Sequence, residues 1–257
     1  MWLRLRQIAL VASDLDAVLD EFRAVLGLEV CFVDPSVKIF GLRNSLLTVG
    51  NQLIEVVSPT QDGTTAGRYL ERRGGDGGYM VITQCDDHTP RKARVEALGV
   101  RQAWGMETEH YRCMQLHPKD TGGSFFEIDQ MVGPGALDPD GPWEPAGGSG
   151  WEAARRLDRV RAIVAAELQA DDPAALAARW ASIAELPVGA DAAGNPTVTL
   201  DNATLRFVPI TDGRGEGLAG LDLAATDADA VMAAAHSRGC ATGDRQVTIC
   251  GMRITLV

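Results

Sequence analysis

The spacing of apolar positions changes in a set order along the chain, and that order recurs four times. Leu3 to Ala12 alternates as a strand does. Ser13 and Asp14 then supply a helix N-cap, and Leu15, Val18, Leu19, Phe22, Val25 and Leu26 follow at helical spacing until Gly27 stops the run. Three β-prone runs come next, around Glu29 to Val33, Val37 to Leu42 and Leu46 to Val57, with turn chemistry at Asp34-Pro35 and Gly50-Asn51. The unit is βαβββ. A second copy opens at Gly78, with a strand Tyr79 to Cys85, capping acids Asp86 and Asp87, a helix through Arg94, Val95 and Leu98, and strands around Trp104, Cys113 to Leu116 and Ser124 to Asp129.

A third copy starts near Arg161. Asp172 caps its helix and Pro173 takes the first helical position, where a missing N–H costs nothing. Leu176, Trp180 and Ile183 make the buried stripe, and Thr197 to Leu200 and Thr204 to Val208 the strands. The fourth copy runs from Leu218 through Asp227 to a helix ended by Gly239, then strands Gln246 to Cys250 and Met252 to Val257. Between copies two and three, residues 133 to 150 hold six Gly and four Pro among 18 positions, which no helix or central strand tolerates. The expected architecture is therefore α+β: four βαβββ modules paired into two cupped-sheet domains, 1–132 and 151–257, joined by a Gly/Pro-rich linker at 133–150.

Charge narrows the partners. The net charge of −11 repels phosphate backbones and anionic lipid, so neither nucleic acid nor membrane is expected. The excess acid is spread over both parts, with 14 basic and 18 acidic residues up to position 131 and 10 and 17 beyond it, which makes it a surface property rather than a metal cluster. No run approaches the roughly 18 apolar residues of a membrane helix, and Met1-Trp-Leu-Arg-Leu-Arg-Gln leads into a strand pattern rather than a signal peptide, so a cytoplasmic protein is expected. The five cysteines form no Cys-x-x-Cys pair and are expected to be reduced, buried thiols.

Four such units in tandem resemble the vicinal oxygen chelate superfamily, which includes glyoxalase I, methylmalonyl-CoA epimerase and the extradiol dioxygenases. The segment Leu5-Arg6-Gln7-Ile8-Ala9-Leu10-Val11 is similar to the superfamily's opening strand, and Gln52-Leu53-Ile54-Glu55-Val56-Val57 to its fourth. The second unit resembles methylmalonyl-CoA epimerase in Gly77-Gly78-Tyr79-Met80-Val81-Ile82, in Leu116-His117-Pro118-Lys119-Asp120, and in Phe126-Glu127-Ile128. The resemblance implies that a divalent metal sits in the first cup on residues from the first and last strands of both units, which fall here on Gln7, Glu55, Met80 and Glu127. Gln7, Glu55 and Glu127 offer oxygens that suit Mg, Mn or Ca, while the Met80 thioether suits none of these. The competing expectation is a metal-free cup in which Met80 fills space and Gln7 is a hydrogen-bonded residue sharing its face with Leu3, Leu5, Ala9 and Val11.

Glu55 and Glu127 each interrupt an apolar run, and a carboxylate so placed costs several kcal/mol unless it is paired, protonated or bound to a cation. Both are expected to face one cavity with at least one pKa raised, as acid/base chemistry near neutral pH requires. His117 stands in a family-like segment, as a substrate contact or as a plain loop histidine. His88, His110 and His236 are expected to be solvated. In the second domain the positions equivalent to Glu55 and Glu127 are expected at Arg206 and Arg253, to hold an anion or to pair with local acids such as Asp201 or Asp222. The resemblance implies an isomerase or lyase acting on a small carbonyl or acyl-thioester compound, with Glu127 or Glu55 as base. The alternatives are a metal-free small-molecule binding protein without turnover and an extradiol dioxygenase, the latter opposed by the missing histidine ligands. Sheet edges that pair between chains in this fold would give a homodimer.

Overall fold

The computed structural model describes all 257 residues, and its strands form two eight-stranded sheets. The first contains β1 (Leu3–Val11), β2 (Val30–Phe32), β3 (Leu42–Val49), β4 (Gln52–Pro59), β5 (Gly77–Cys85), β6 (Gln102–Glu107), β7 (Tyr111–Leu116) and β8 (Phe125–Met131), in the order β2-β3-β4-β1-β5-β8-β7-β6. Its two modules meet where β1 runs antiparallel to β5, and in each module the first strand lies parallel to the last. The second sheet repeats the order with β9 (Val160–Ala170), β10 (Val188–Ala190), β11 (Pro196–Thr199), β12 (Thr204–Pro209), β13 (Gly217–Ala225), β14 (Ala241–Gly243), β15 (Gln246–Ile249) and β16 (Met252–Leu256).

Each first strand feeds a helix through an acidic cap. Asp14, Asp87, Asp172 and Asp227 accept backbone N–H groups of α1 (Leu15–Leu26), α3 (His88–Ala97), α4 (Pro173–Ala184) and α5 (Ala228–Arg238), which satisfies donors that a helix start otherwise leaves open. The helices lie on one face of each sheet and merge into a single core of 52 buried residues that runs through both domains. Phe126 of β8 stacks on Trp180 of α4 at 4.3 Å between ring centroids, and the Trp180 indole donates to the Thr121 carbonyl. Gly78 meets β13 so closely that a Cβ there would stand 2.5 Å from the Leu218 carbonyl oxygen. The opposite sheet faces, the cups, therefore point away from the shared core.

One local expectation changes. Val37 to Leu42 is not a strand: Pro35–Phe40 is a 3-10 turn, because Pro35 follows a capping Asp34 whose carboxylate accepts Ser36 N–H, and Gly41 closes it in the left-handed region. Between β4 and β5, Thr64 caps a further helix α2 (Thr65–Arg73) ended by Gly74. The strand expected around Trp104 is β6, paired with β7. All five cysteines are free, four buried and Cys31 half-buried. No helix is long and apolar enough to cross a membrane.

Candidate functional site

Pairing across the first sheet sets two adjacent rows of residues over its centre. Leu53, Gln7, Ile82 and Glu127 make one row, and Glu55, Ala9, Met80 and Phe125 the next, so Gln7, Glu55, Met80 and Glu127 surround one spot on the cup face. Gln7 reaches that face through a bulge. The β1–β5 register slips between Leu5 and Gln7, leaving Arg6 without a partner, so Leu3 and Leu5 turn into the helix-side core while Gln7, Ala9 and Val11 line the cup. The expected shared face of Gln7 with Leu3 and Leu5 is corrected accordingly, because one inserted residue flips the alternation.

The cup is rich in acid and poor in base. Half-buried Glu55 accepts from Asn44 Nδ2 at 2.6 Å and from Gln7 Nε2 at 2.9 Å. Glu127 is 3% exposed and Asp129, two residues on and therefore on the same face, is fully buried. The Tyr111 hydroxyl donates to Asp129 Oδ2 at 2.7 Å, while Glu127 Oε2 and Asp129 Oδ1 have no hydrogen-bond partner. No arginine, lysine or histidine is ion-paired with any of the three carboxyls. Burial pushes the Glu127 carboxyl up from 4.5 to about 8, and the Glu55 charge adds to the rise. Burial and then the neighbouring Glu127 charge push Asp129 well above the usual carboxylate range, and burial raises Glu55 against the pull of its Asn44 and Gln7 hydrogen bonds. Two carboxyls this close cannot both ionise without a cation, so the Glu127–Asp129 pair holds a proton at neutral pH.

The linker is the structural element that the sequence pattern conceals. Instead of only bridging two domains, it folds over the first cup, and Ala136, Trp143, Ala146 and Trp151 pack against the cup residues. Trp143 is fully buried, its indole N–H donating to Gln7 Oε1 at 2.9 Å and its ring lying edge-on to Tyr111. Two arginines of β1 fasten the strap. Arg4 donates to the carbonyls of Leu137 and Asp138, and buried Arg6 to those of Pro139 and Gly141. Trp143 within the Gly/Pro-rich stretch and Trp151 directly after it are the sequence signal, since a solvated linker has no use for them.

His117 lies in the turn after β7, its Nδ1 accepting from Lys119 N–H, and none of its hydrogen bonds reaches the cup. His88 is buried at the start of α3 rather than solvated. In the second cup Arg206 pairs with Glu167 and, through both terminal nitrogens, with Asp222, and Arg253 pairs with Glu167 and Asp212. Asp201 takes no part. Arg206 stands opposite Glu167 as Glu55 stands opposite Ala9, but Arg253 pairs with Gly220 as Phe125 pairs with Met80, so the position matching Glu127 is Thr255.

The four positions that the resemblance assigns to a metal do not make a cation site. Gln7 is committed at both ends of its amide, to Trp143 and to Glu55, and Met80 presents only a soft sulfur. The buried donors that do converge are Cys113, Glu127 and Asp129, whose ligand atoms lie within 4.8 Å of one another.

No protein-family profile matches the chain. Over 132 residues, half of this chain and 98% of the relative, it is 26% identical to ethylmalonyl-CoA/methylmalonyl-CoA epimerase of Cereibacter sphaeroides. It is 25% identical over 132 residues to the mitochondrial methylmalonyl-CoA epimerase of Mus musculus, covering 72% of that protein. Among solved structures, a mutant of 4-hydroxymandelate synthase from Streptomyces coelicolor superposes over 92% of this chain and 75% of its own, with a TM-score of 0.65 at 15% identity. The chain thus has the fold of vicinal oxygen chelate proteins, with two paired-module sheets in tandem.

Proposed function

We propose that the first cup binds a small carbonyl or acyl-thioester compound and moves a proton beside its carbonyl, as an isomerase or lyase would. The observation that carries this reading is the buried Glu127 carboxyl, raised to about 8 beside Glu55. A carboxyl that exchanges its proton near neutral pH can act as acid or base without a metal. Glu127 and Glu55 are the acid/base pair. The Gln7 amide, positioned by Trp143 and Glu55, would offer its second N–H to a developing enolate oxygen. The curated relatives named for epimerisation of acyl-CoA compounds support the substrate class.

The strap sets the terms of access. With Trp143 inside the cup, a ligand enters only when residues 133–150 shift, which favours a second reading: a binding protein that closes over its ligand without turnover. One experiment separates the two. Candidate acyl thioesters are incubated in D2O with the full chain and followed by NMR for exchange at the carbon beside the carbonyl. The proton-transfer reading predicts exchange in the wild type and a loss of at least 100-fold in Glu127→Gln or Glu55→Gln. Binding without exchange supports the second reading, and neither binding nor exchange in wild type and Trp143→Ala overturns both.

A further inference from the structure

We infer that a phosphate group binds outside the first cup, in a cleft of about 430 Å³ between the two sheets, held by Arg72, Arg73 and Arg214. The end of α2 forms one wall, and the loop 211–216 that precedes β13 forms the other. Arg73 donates across the cleft to the carbonyls of Arg214, Gly215 and Glu216, and Arg214 returns bonds to the carbonyls of Arg73 and Gly75. Both guanidinium groups bond only to neutral carbonyls. None of the three arginines has a carboxylate within ion-pair distance, so the cleft gathers cations without their counter-charge.

Arg73 supplies the independent sign of a missing partner. It is 6% exposed, yet its Nε–H meets no acceptor. A Cβ on Gly77 would stand 3.0 Å from Tyr69 Oη, 3.2 Å from Arg214 Nη2 and 3.3 Å from Arg73 Nε, which places the three polar atoms around one point of the wall. The facing loop has the backbone of an anion nest. Gly213 and Gly215 both lie in the left-handed region, and the N–H groups of Gly213, Gly215 and Glu216 donate to no protein acceptor. Glu71 and Glu216 also line the cleft, but the Glu216 carboxylate is taken by the Asp171 N–H, and the arginines outnumber the acids. Three guanidinium groups and free backbone N–H groups match an anion with several charged oxygens, phosphate rather than carboxylate. The cleft adjoins the first cup through an aromatic ladder. Tyr69 meets Tyr79 edge-on at 5.3 Å and Tyr79 meets Phe125 at 5.0 Å, two residues from Glu127. Resting on the function proposed above, the phosphate belongs to the carrier arm of an acyl thioester whose acyl end reaches Glu55 and Glu127.

The test titrates the full chain with pyrophosphate and with coenzyme A, following the heat of binding and the backbone amide NMR signals. The expected result is that the two compounds compete for one site, with the largest shifts at Gly213, Gly215 and Glu216, a readout that needs no variant to fold. Arg72→Glu alters an exposed side chain and weakens both compounds about tenfold. Lys92→Ala, an exposed cation on α3, changes neither. Tighter binding of coenzyme A than of pyrophosphate supports the carrier arm as the source of the phosphate, whereas equal affinities support a free phosphate compound and overturn the link to the first cup. No binding of either compound, shifts confined to other residues, or an Arg72→Glu chain that binds as well as wild type overturns the inference. Pyrophosphate has no carbon that exchanges a proton, so its outcome is separate from that of the proton-exchange assay.

Discussion

The two cups are built on the same strand order and solve the same electrostatic problem in opposite ways. Each gathers three carboxyl groups: Glu55, Glu127 and Asp129 in the first, Glu167, Asp212 and Asp222 in the second. The second supplies its own counter-charge, Arg206 and Arg253 bracketing Glu167 and reaching the two aspartates. The first supplies none and is sealed by Trp143. A cup neutralised by its own arginines needs no ligand, and its Arg206 carries a pKa raised mainly by its bond to Asp222. An acidic cup without a base must be completed by protons or a cation, which is the condition under which a carboxyl becomes chemically useful. Under the proposed function the chemistry belongs to the first cup, while the second cup balances its acids with its own arginines.

The comparison breaks most readily at the seal. Trp143→Ala removes a fully buried indole and its bond to Gln7, and should cost about 3–5 kcal/mol in chemical denaturation. If it costs less than about 1 kcal/mol, the strap is not packed into the cup. Arg206→Ala should cost about 2 kcal/mol, discounted because the pair is partly exposed, with a loss that shrinks in high salt. A salt-independent cost would mean that packing rather than charge holds the second cup.

Next in size is a pH effect confined to the first cup. Glu127 keeps its proton in the folded state up to about 8, whereas the unfolded chain releases it above about 4.5. The unfolded state therefore binds fewer protons across that window, and stability falls as pH rises from about 4.5 to 8. Glu127→Gln should flatten that slope in thermal melts taken across the window, and an unchanged slope would place the titration elsewhere. The smallest effect is expected from Tyr111→Phe, where losing the bond to Asp129 costs about 1 kcal/mol and further disfavours the charged carboxylate.

Much of this arrangement is legible in the sequence because period and caps are local signals. The four βαβββ units, the capping aspartates, and Glu55 and Glu127 as acids in apolar runs all follow from spacing. What escapes is register and tertiary placement. The bulge at Arg6 and the one-step offset that makes Thr255, not Arg253, the counterpart of Glu127 depend on cross-strand pairing that spacing does not reveal. Asp129 and Cys113 needed only the alternation of β7 and β8 carried one step further, but Asp129 became visible as a cup residue only with Glu127 fixed on that face. Trp143 contributes through a contact 136 residues away in sequence, and its Gly/Pro-rich surroundings read as a simple hinge.

The first cup holds carboxyls without a built-in counter-charge, and carbon-detected NMR of the side-chain carboxyls in the metal-free chain reads this out. One carboxyl of the Glu127–Asp129 pair should still be protonated at pH 6 and titrate near 8. Full ionisation of both Glu127 and Asp129 by pH 5 would contradict it.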